Sequence, residues 1–371
     1  MKIENSGILS IICILSLICS LPVALTADEE YKYEGAEVCS SCHEEAYREW
    51  KDGPHAKSWN NLIYHAARAG YIKATAAEGG LHCEDCHSPI ASMTVDEHLL
   101  NPISTEGVTC DVCHTMAADE KSGFKKFLPQ GGKEKAGPTG DCPSDLHPCR
   151  KEDRLTTSEF CAVCHHYVNR YGVPIYTEYS EWKSSRFGSE GITCLDCHTQ
   201  RGKVGERSWG VHRLIPLEGD RGLLRQALSL DMELKTAWDY ESVLTIRVRN
   251  TGAGHAVPGG PPIRSIRLEV KAYDANDDLV FADTSKVMSR AVESPISPDT
   301  GLTLPWLGWS VVSDERIFPG ETRVFNFKTG RQDVVRATAR LLYHRFSMMV
   351  EEDFFPDTEP PVMTTAEVKA K

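Results

Sequence analysis

Ten of the 14 cysteines fall into five copies of one pattern, Cys-x-x-Cys-His, and no other feature constrains the chain as strongly. Two thiols at this spacing lie about one helical turn apart. They can add to the two vinyl groups of one porphyrin, and the histidine that follows then lies under the iron. We number the copies motif 1 to motif 5 in chain order. They predict five covalently attached c-type haems, with attachment at Cys39 and Cys42, Cys83 and Cys86, Cys110 and Cys113, Cys161 and Cys164, and Cys194 and Cys197, and with axial ligands His43, His87, His114, His165 and His198.

Paired cysteines have two other common explanations, zinc knuckles and thioredoxin-like redox pairs. A zinc site would use the cysteine pairs in twos, and nothing about zinc requires a histidine directly after every second cysteine. Redox pairs would not occur in five copies. The pattern therefore favours haem attachment over both.

The N terminus indicates the compartment. Lys2 precedes an apolar run from Ile8 to Leu25, and small residues follow it, which is typical of a secretory signal peptide over residues 1–26. The run also approaches the length that spans a bilayer, so an uncleaved membrane anchor is the alternative. Either way we expect an exported protein in the periplasm or at the extracellular surface. Cys13 and Cys19 would leave with the signal.

Composition narrows the class and the partners. The 371 residues are 41% hydrophobic and 25% charged, as in soluble globular proteins of about two domains. The net charge of −12 argues against a surface that binds phosphate and so against nucleic acid. We expect redox proteins as partners, membrane-bound electron donors among them, and homo-oligomer or filament formation is an open alternative.

The sequence predicts two domains after the signal, over residues 27–228 and 229–371. All five motifs lie in the first, so porphyrins must supply much of its core, between short helices such as 44–50 and 58–77 and glycine-rich loops. In the second, apolar and polar residues alternate, as at Leu244, Ile246 and Val248. The expected fold is a mainly α-helical and irregular multihaem cytochrome domain followed by an all-β immunoglobulin-like sandwich.

Nine further histidines could supply the second axial ligands, which makes mostly bis-histidine, low-potential haems the expectation. The predicted distal ligands are His55, His98, His212 and His255. His65, His82, His147 and His166 stay open between ligand and surface residue, and His344 is expected on a strand.

A glycine-rich loop, residues 250–259, connects two predicted strands and contains His255. Its glycines allow close backbone approach, so we expect His255 to reach a haem of the first domain. The alternative is an ordinary tight turn with a surface histidine.

Several segments resemble the cytochrome c-554 family and its larger periplasmic multihaem relatives. They are Tyr33-Glu34-Gly35 with motif 1, Trp50 and Gly53-Pro54-His55-Ala56, then Cys83 to Pro89, Glu106 to His114, Phe160 to His165, and Gly191 to His198. The resemblance implies that His55 ligates a haem other than that of motif 1. It also implies that His212 and the Gly-His-x-x-Pro loop at His255 supply ligands. The fifth motif departs from the four-haem members of the family.

Cys142 and Cys149 lie outside the motifs. In an oxidising compartment a local disulfide is the first interpretation. The alternative is a thiolate or His147 that ligates a haem, as in a catalytic multihaem enzyme.

Together these features predict an exported pentahaem cytochrome that transfers electrons and has no catalytic residues of its own. Two alternatives remain. One is an oxidoreductase of a small nitrogen or sulfur compound with one open haem, and the other is a subunit of a haem-bearing filament.

Overall fold

The structure is a computed structural model, in which Tyr33–Lys371 form one compact unit. It describes residues 32–75, 83–96, 98–118, 127–140, 142, 146–199, 203–204, 207–208, 212–215, 217, 222–236, 241–297, 303–346, 350–351, 355 and 357–370. The predicted signal peptide, with Cys13 and Cys19, lies outside these residues, as does His82. In the described part of the chain no helix has the length and apolar character needed to cross a membrane.

Short helices dominate the first part of the chain. Each of the five motifs contributes residues to one of them, which places both cysteines and the histidine within about one turn, as the attachment chemistry requires. Helix α10 begins with a capping box between Thr193 and Asp196, which fixes the start of motif 5. The helices are α1 Ala36–Ser40, α2 Glu44–Lys51, α3 Leu62–Thr75, α4 Glu84–His87, α5 Pro89–Thr94, α6 Cys110–His114, α7 Ser158–His165, α8 Glu178–Lys183, α9 Arg186–Ser189, α10 Cys194–His198 and α11 Leu223–Ala227.

The sequence predicts a helix over 58–77, whereas α3 covers Leu62–Thr75. Its start is set by Asn61, whose side chain accepts a hydrogen bond from the Tyr64 amide at 3.0 Å. Ser58 is engaged elsewhere, because its hydroxyl donates to the carbonyls of His55 and His87. Asn61 and not Ser58 therefore caps the helix, and the apolar pattern alone could not distinguish the two.

Small two-stranded sheets lie between these helices. The pair β3–β4 is parallel and the other three pairs are antiparallel. The sequence predicts short helices and glycine-rich loops here, and the structure adds these short strand pairs. The strands are β1 Met116–Ala118, β2 Phe127–Pro129, β3 Lys135–Gly137, β4 Cys149–Lys151, β5 Tyr167–Val168, β6 Pro174–Tyr176, β7 Lys203–Val204 and β8 Arg207–Ser208.

The last part of the chain forms two antiparallel sheets, in the orders β14-β10-β9 and β13-β12-β11-β15-β16. This confirms the predicted all-β, sandwich-like region after a helical and irregular one. Strand β9 begins next to the predicted division between residues 228 and 229, and that division stays a prediction. The strands are β9 Leu228–Thr236, β10 Ser242–Asn250, β11 Ser265–Tyr273, β12 Leu279–Glu293, β13 Ser310–Asp314, β14 Thr322–Lys328, β15 Arg336–His344 and β16 Val362–Lys369.

The sandwich core follows from the period-two pattern. In β10, the side chains of Leu244, Ile246 and Val248 are fully buried, and in β11 the same holds for Ile266 and Leu268. Burying each such side chain contributes roughly 1.5–3 kcal/mol. The apolar face of one sheet therefore covers that of the other and holds the sandwich together.

Buried polar contacts join the sandwich to the first part of the chain. Arg316, two residues after β13, makes a 2.7 Å ion pair with Glu181 of α8. The Asn169 side chain, next to β5, donates to the carbonyls of Trp306 and Gly308 between β12 and β13. These contacts fix α8 and the β5–β6 hairpin against the sandwich.

Candidate haem-binding site

Four of the five motif histidines face a second histidine. The distances between ring centres are 6.4 Å for His43 and His147, 6.4 Å for His55 and His165, 6.1 Å for His114 and His212, and 6.2 Å for His198 and His255. Each pair thus joins a motif histidine to one outside the motifs.

This spacing tests whether the residues fit a haem. A metal-bound imidazole nitrogen lies about 2.0 Å from the metal and about 1.1 Å from the centre of its own ring. Two imidazoles on opposite sides of one iron therefore have ring centres about 6 Å apart. All four pairs have this separation, so they fit bis-histidine coordination.

Backbone carbonyls orient several of these rings. The Nδ1 atom lies 2.7 Å from the Ala136 carbonyl in His114, 2.9 Å from the Ala256 carbonyl in His255, and 3.0 Å from the Ser58 carbonyl in His87. When Nδ1 carries the proton and donates it to such a carbonyl, Nε2 is left with a lone pair for a metal. The second ring nitrogen is the one that would bind iron.

The electrostatics of the pairs favour neutral imidazoles. Burial lowers the pKa of His55 and of His198 to about 4. Burial also lowers the pKa of the motif histidines His114 and His165 and of His212. Only a neutral imidazole can bind a metal, so these rings are ready to act as ligands at neutral pH.

Side chains hold the His255 loop in place. The Asn250 amide donates to the His255 carbonyl at 2.9 Å, and a Glu181 carboxylate oxygen accepts from the Ala256 amide at 2.9 Å. A β-carbon at Gly259 would lie 2.9 Å from Cε1 of His255, so the close approach needs glycine. The loop therefore reaches from the sandwich to His198 of motif 5.

The expected disulfide joins Cys142 and Cys149, which confirms the first interpretation of these two cysteines. His147 lies between them in the chain and faces His43. The sequence left His147 open. Its position between two cysteines outside the motifs was the available signal, but its partner in motif 1 is far away in the chain.

The remaining motif histidine, His87, has a different neighbour. Its ring stacks on that of Tyr64 with ring centres 4.2 Å apart, and His65 touches the same tyrosine edge-on at 5.2 Å. A stacked pair at 4.2 Å leaves no room for an iron between the rings. Motif 2 therefore differs from the other four within the described residues.

The other histidines take separate places. His98, a predicted distal ligand, is exposed, and its assignment stays a prediction. His166 lies edge-on to Tyr179, and His344 is on β15 as expected, 2.6 Å from Glu351.

Thiol contacts show which motifs are neighbours. The Cys39 side chain interacts with that of Cys110, Cys86 with Cys164, and Cys161 with Cys194. Motif 1 therefore lies beside motif 3, and motif 4 lies beside both motif 2 and motif 5.

A family model and a solved structure match the chain. Residues 38–115 match the family model for cytochrome c554 and c-prime. The fold is similar to the crystal structure of a penta-haem cytochrome c552 from Thermochromatium tepidum, with a TM-score of 0.71 and 22% identity over 92% of this chain and 100% of that one. No curated protein shows significant similarity to the sequence.

Two other solved structures match a smaller part of the chain. They are β-glucosidases from Kluyveromyces marxianus and Bifidobacterium adolescentis, at 12% and 9% identity over 39% and 38% of this chain and 14% and 17% of theirs. Their TM-scores of 0.17 and 0.16 support no inference.

The attachment motifs in short helices, the imidazole pairs and the family match over residues 38–115 are those of a multihaem c-type cytochrome. Residues 38–115 match the cytochrome c554 and c-prime family model, which confirms the resemblance seen in the sequence over that segment.

Proposed function

We propose that the chain is an exported pentahaem c-type cytochrome that transfers electrons through mostly bis-histidine haems. The observation that carries the proposal is the set of four histidine pairs with ring centres 6.1–6.4 Å apart. The penta-haem cytochrome c552 with a similar fold supports the number five.

The residues have distinct roles in this proposal. Bound haem iron supplies the one-electron chemistry. The motif cysteines would attach the porphyrins, and four of the motif histidines would hold the iron together with His55, His147, His212 and His255. Two strong imidazole donors per iron favour low potentials and leave no open position for a substrate.

The neighbouring thiols support an order of haems. Motifs 1 and 3 are adjacent through Cys39 and Cys110, and motifs 4 and 5 through Cys161 and Cys194. Motif 2 joins motif 4 through Cys86 and Cys164. We therefore place motif 4 between motif 2 and motif 5.

Mass spectrometry and spin-state spectroscopy test the proposal. Holoprotein made with a competent maturation system should carry five haem adducts, and EPR or magnetic circular dichroism should show at least four low-spin haems per molecule. Fewer adducts, or a majority of high-spin haems, would contradict it.

One observation favours a second function, an oxidoreductase of a small nitrogen or sulfur compound. His87 contacts Tyr64 rather than a second imidazole, and burial raises the pKa of the Tyr64 hydroxyl, so this group stays protonated and can donate a hydrogen bond. A haem at motif 2 with an open position would bind cyanide or nitric oxide. Titration with these ligands should perturb one haem of five. Unchanged spectra would rule out this second function and leave electron transfer as the proposed one.

A further inference from the structure

The Cys142–Cys149 disulfide touches a proposed haem ligand. We propose that this disulfide is a thiol-exchange site whose redox state decides whether His147 ligates the haem of motif 1. The inference rests on the proposed function, because it takes His147 as the distal partner of His43.

The contact is direct. Nδ1 of His147 lies 3.6 Å from Sγ of Cys142 and 3.8 Å from Sγ of Cys149, and 3.3 Å from the Pro148 carbonyl. Both sulfur atoms therefore pack against the edge of the imidazole that points away from the metal-binding nitrogen. Any movement of the sulfurs is passed to the ring.

Cleavage of the disulfide forces such a movement. Bonded sulfur atoms lie about 2.0 Å apart, whereas non-bonded heavy atoms need about 3.5–4.0 Å. The main chain is held on the Cys149 side, because Cys149 pairs with Lys135 in the β3–β4 sheet and Gly140 lies against the backbone of Lys151. The displacement therefore falls on the side chains around His147.

The released thiols also compete for iron. Ligand atoms of Cys142, His147 and Cys149 lie within 4.8 Å of one another, so a thiolate is a neighbouring donor that could replace a displaced His147. Both effects act against ligation by His147 and in the same direction.

The reaction is ordinary thiol–disulfide exchange. A dithiol donor attacks one sulfur of the Cys142–Cys149 bond as a thiolate and forms a mixed disulfide, and its second thiol then releases the protein. The donor loses two electrons and two protons and becomes a disulfide, while Cys142 and Cys149 gain them as two thiols. Exchange requires access, and the neighbouring Leu146 side chain is 75% exposed.

The other distal ligands have different supports. The Val108 amide and the Ser58 hydroxyl donate to the His55 carbonyl, the His212 amide donates to Glu49, and the His255 carbonyl accepts from Asn250. In the described residues the disulfide touches His147 alone among the four. Reduction should therefore affect one haem.

Chemical trapping tests the inference on the holoprotein. In the mature protein the ten motif cysteines are thioethers, so alkylation reports on Cys142 and Cys149. The protein is reduced with tris(2-carboxyethyl)phosphine, alkylated with iodoacetamide, and its haems are reoxidised in air. We expect one haem per molecule to change from low spin to high spin or to thiolate ligation, while the others keep their spectra.

Two variants give the reference states. His147→Ala should change the same single haem without reductant, and Cys142→Ser/Cys149→Ser should reproduce the alkylated state. Protein treated with iodoacetamide alone is the matched control and should be unchanged.

If His147→Ala changes one haem but reduction and alkylation change none, the disulfide is a structural link and the inference fails while the proposed function stands. If His147→Ala changes nothing, both the ligand assignment and the inference fail. A haem count below five would instead contradict the proposed function. The spectra of the two variants would still decide whether the disulfide controls ligation by His147.

Discussion

The two parts of the molecule obtain their cores in different ways. In the sandwich, alternate residues of β10 and β11 are fully buried, and the two sheets complete a core from side chains alone. The part that carries the motifs has helices as short as four residues, and within its described residues one apolar cluster has Tyr33, Ile90, Ile103, Val112 and Met116 as buried members. One region of a chain can therefore depend on cofactors for its packing if the neighbouring region has its own side-chain core.

The removal of haem should have the largest effect on the difference between the two parts. Residues 229–371 expressed alone should fold, because they contain no attachment cysteine and have their own core. Residues 27–228 made without haem attachment should stay unfolded, since the porphyrins replace core side chains. Far-ultraviolet circular dichroism and limited proteolysis of both halves check this, and a disordered C-terminal half would contradict it.

A cavity in the sandwich should come next in size. Leu244→Ala removes a fully buried side chain and should lower the free energy of unfolding by about 2–5 kcal/mol. Val324→Ala on β14, where the side chain is 49% exposed, is the matched control and should change it by less than about 0.5 kcal/mol. Thermal unfolding followed by circular dichroism compares them, and equal effects would refute a side-chain core.

A substitution in the sandwich should have a smaller effect, on the coordination of one haem in the first part. His255→Ala removes the imidazole that faces His198, so one haem of five should become high-spin or water-ligated. His344→Gln is the control on the same sandwich, because His344 contacts Glu351 instead of a motif histidine. Magnetic circular dichroism counts the low-spin haems, and a spectrum identical to that of the unmodified protein would reduce the loop to an ordinary turn.

The smallest effect should come from Glu181→Gln. It removes the charge that pairs with Arg316 and weakens the acceptor of the Ala256 amide, so the His255 loop should be held less firmly. We expect a partial spin change, or a shifted potential, at the same haem that His255→Ala affects. Glu190→Gln, at an exposed carboxylate after α9, should leave that haem unchanged, and equal spectra for both variants would rule out a positioning role.

The sequence predicted elements better than it predicted pairs. The motif helices and the sandwich strands follow from local patterns, and His55, His212 and His255 were all named as distal ligands. Which motif each of them faces depends on the tertiary fold, because His55 lies near motif 1 in the chain but faces His165 of motif 4. Local spacing carries no information about such a partner.

Two histidines show, in opposite ways, how far the sequence can predict a distal ligand. His98 was named as a ligand but lies exposed, and His147 was left open but faces His43. The stacking of Tyr64 on His87 could not be predicted either, because it depends on where α3 packs against α4. Side-chain type gives the set of candidates, and packing selects among them.

The reach of the His255 loop has a consequence for how the protein is made. All five attachment motifs precede residue 255, so a chain truncated before that residue keeps every attachment motif. Such a chain would lack the imidazole that faces His198, and also Arg316, which holds Glu181 and through it the loop. If His255 ligates the haem of motif 5, a chain truncated before residue 255 should differ from the longer chain in the coordination of that one haem, and its absorption spectrum should show the difference.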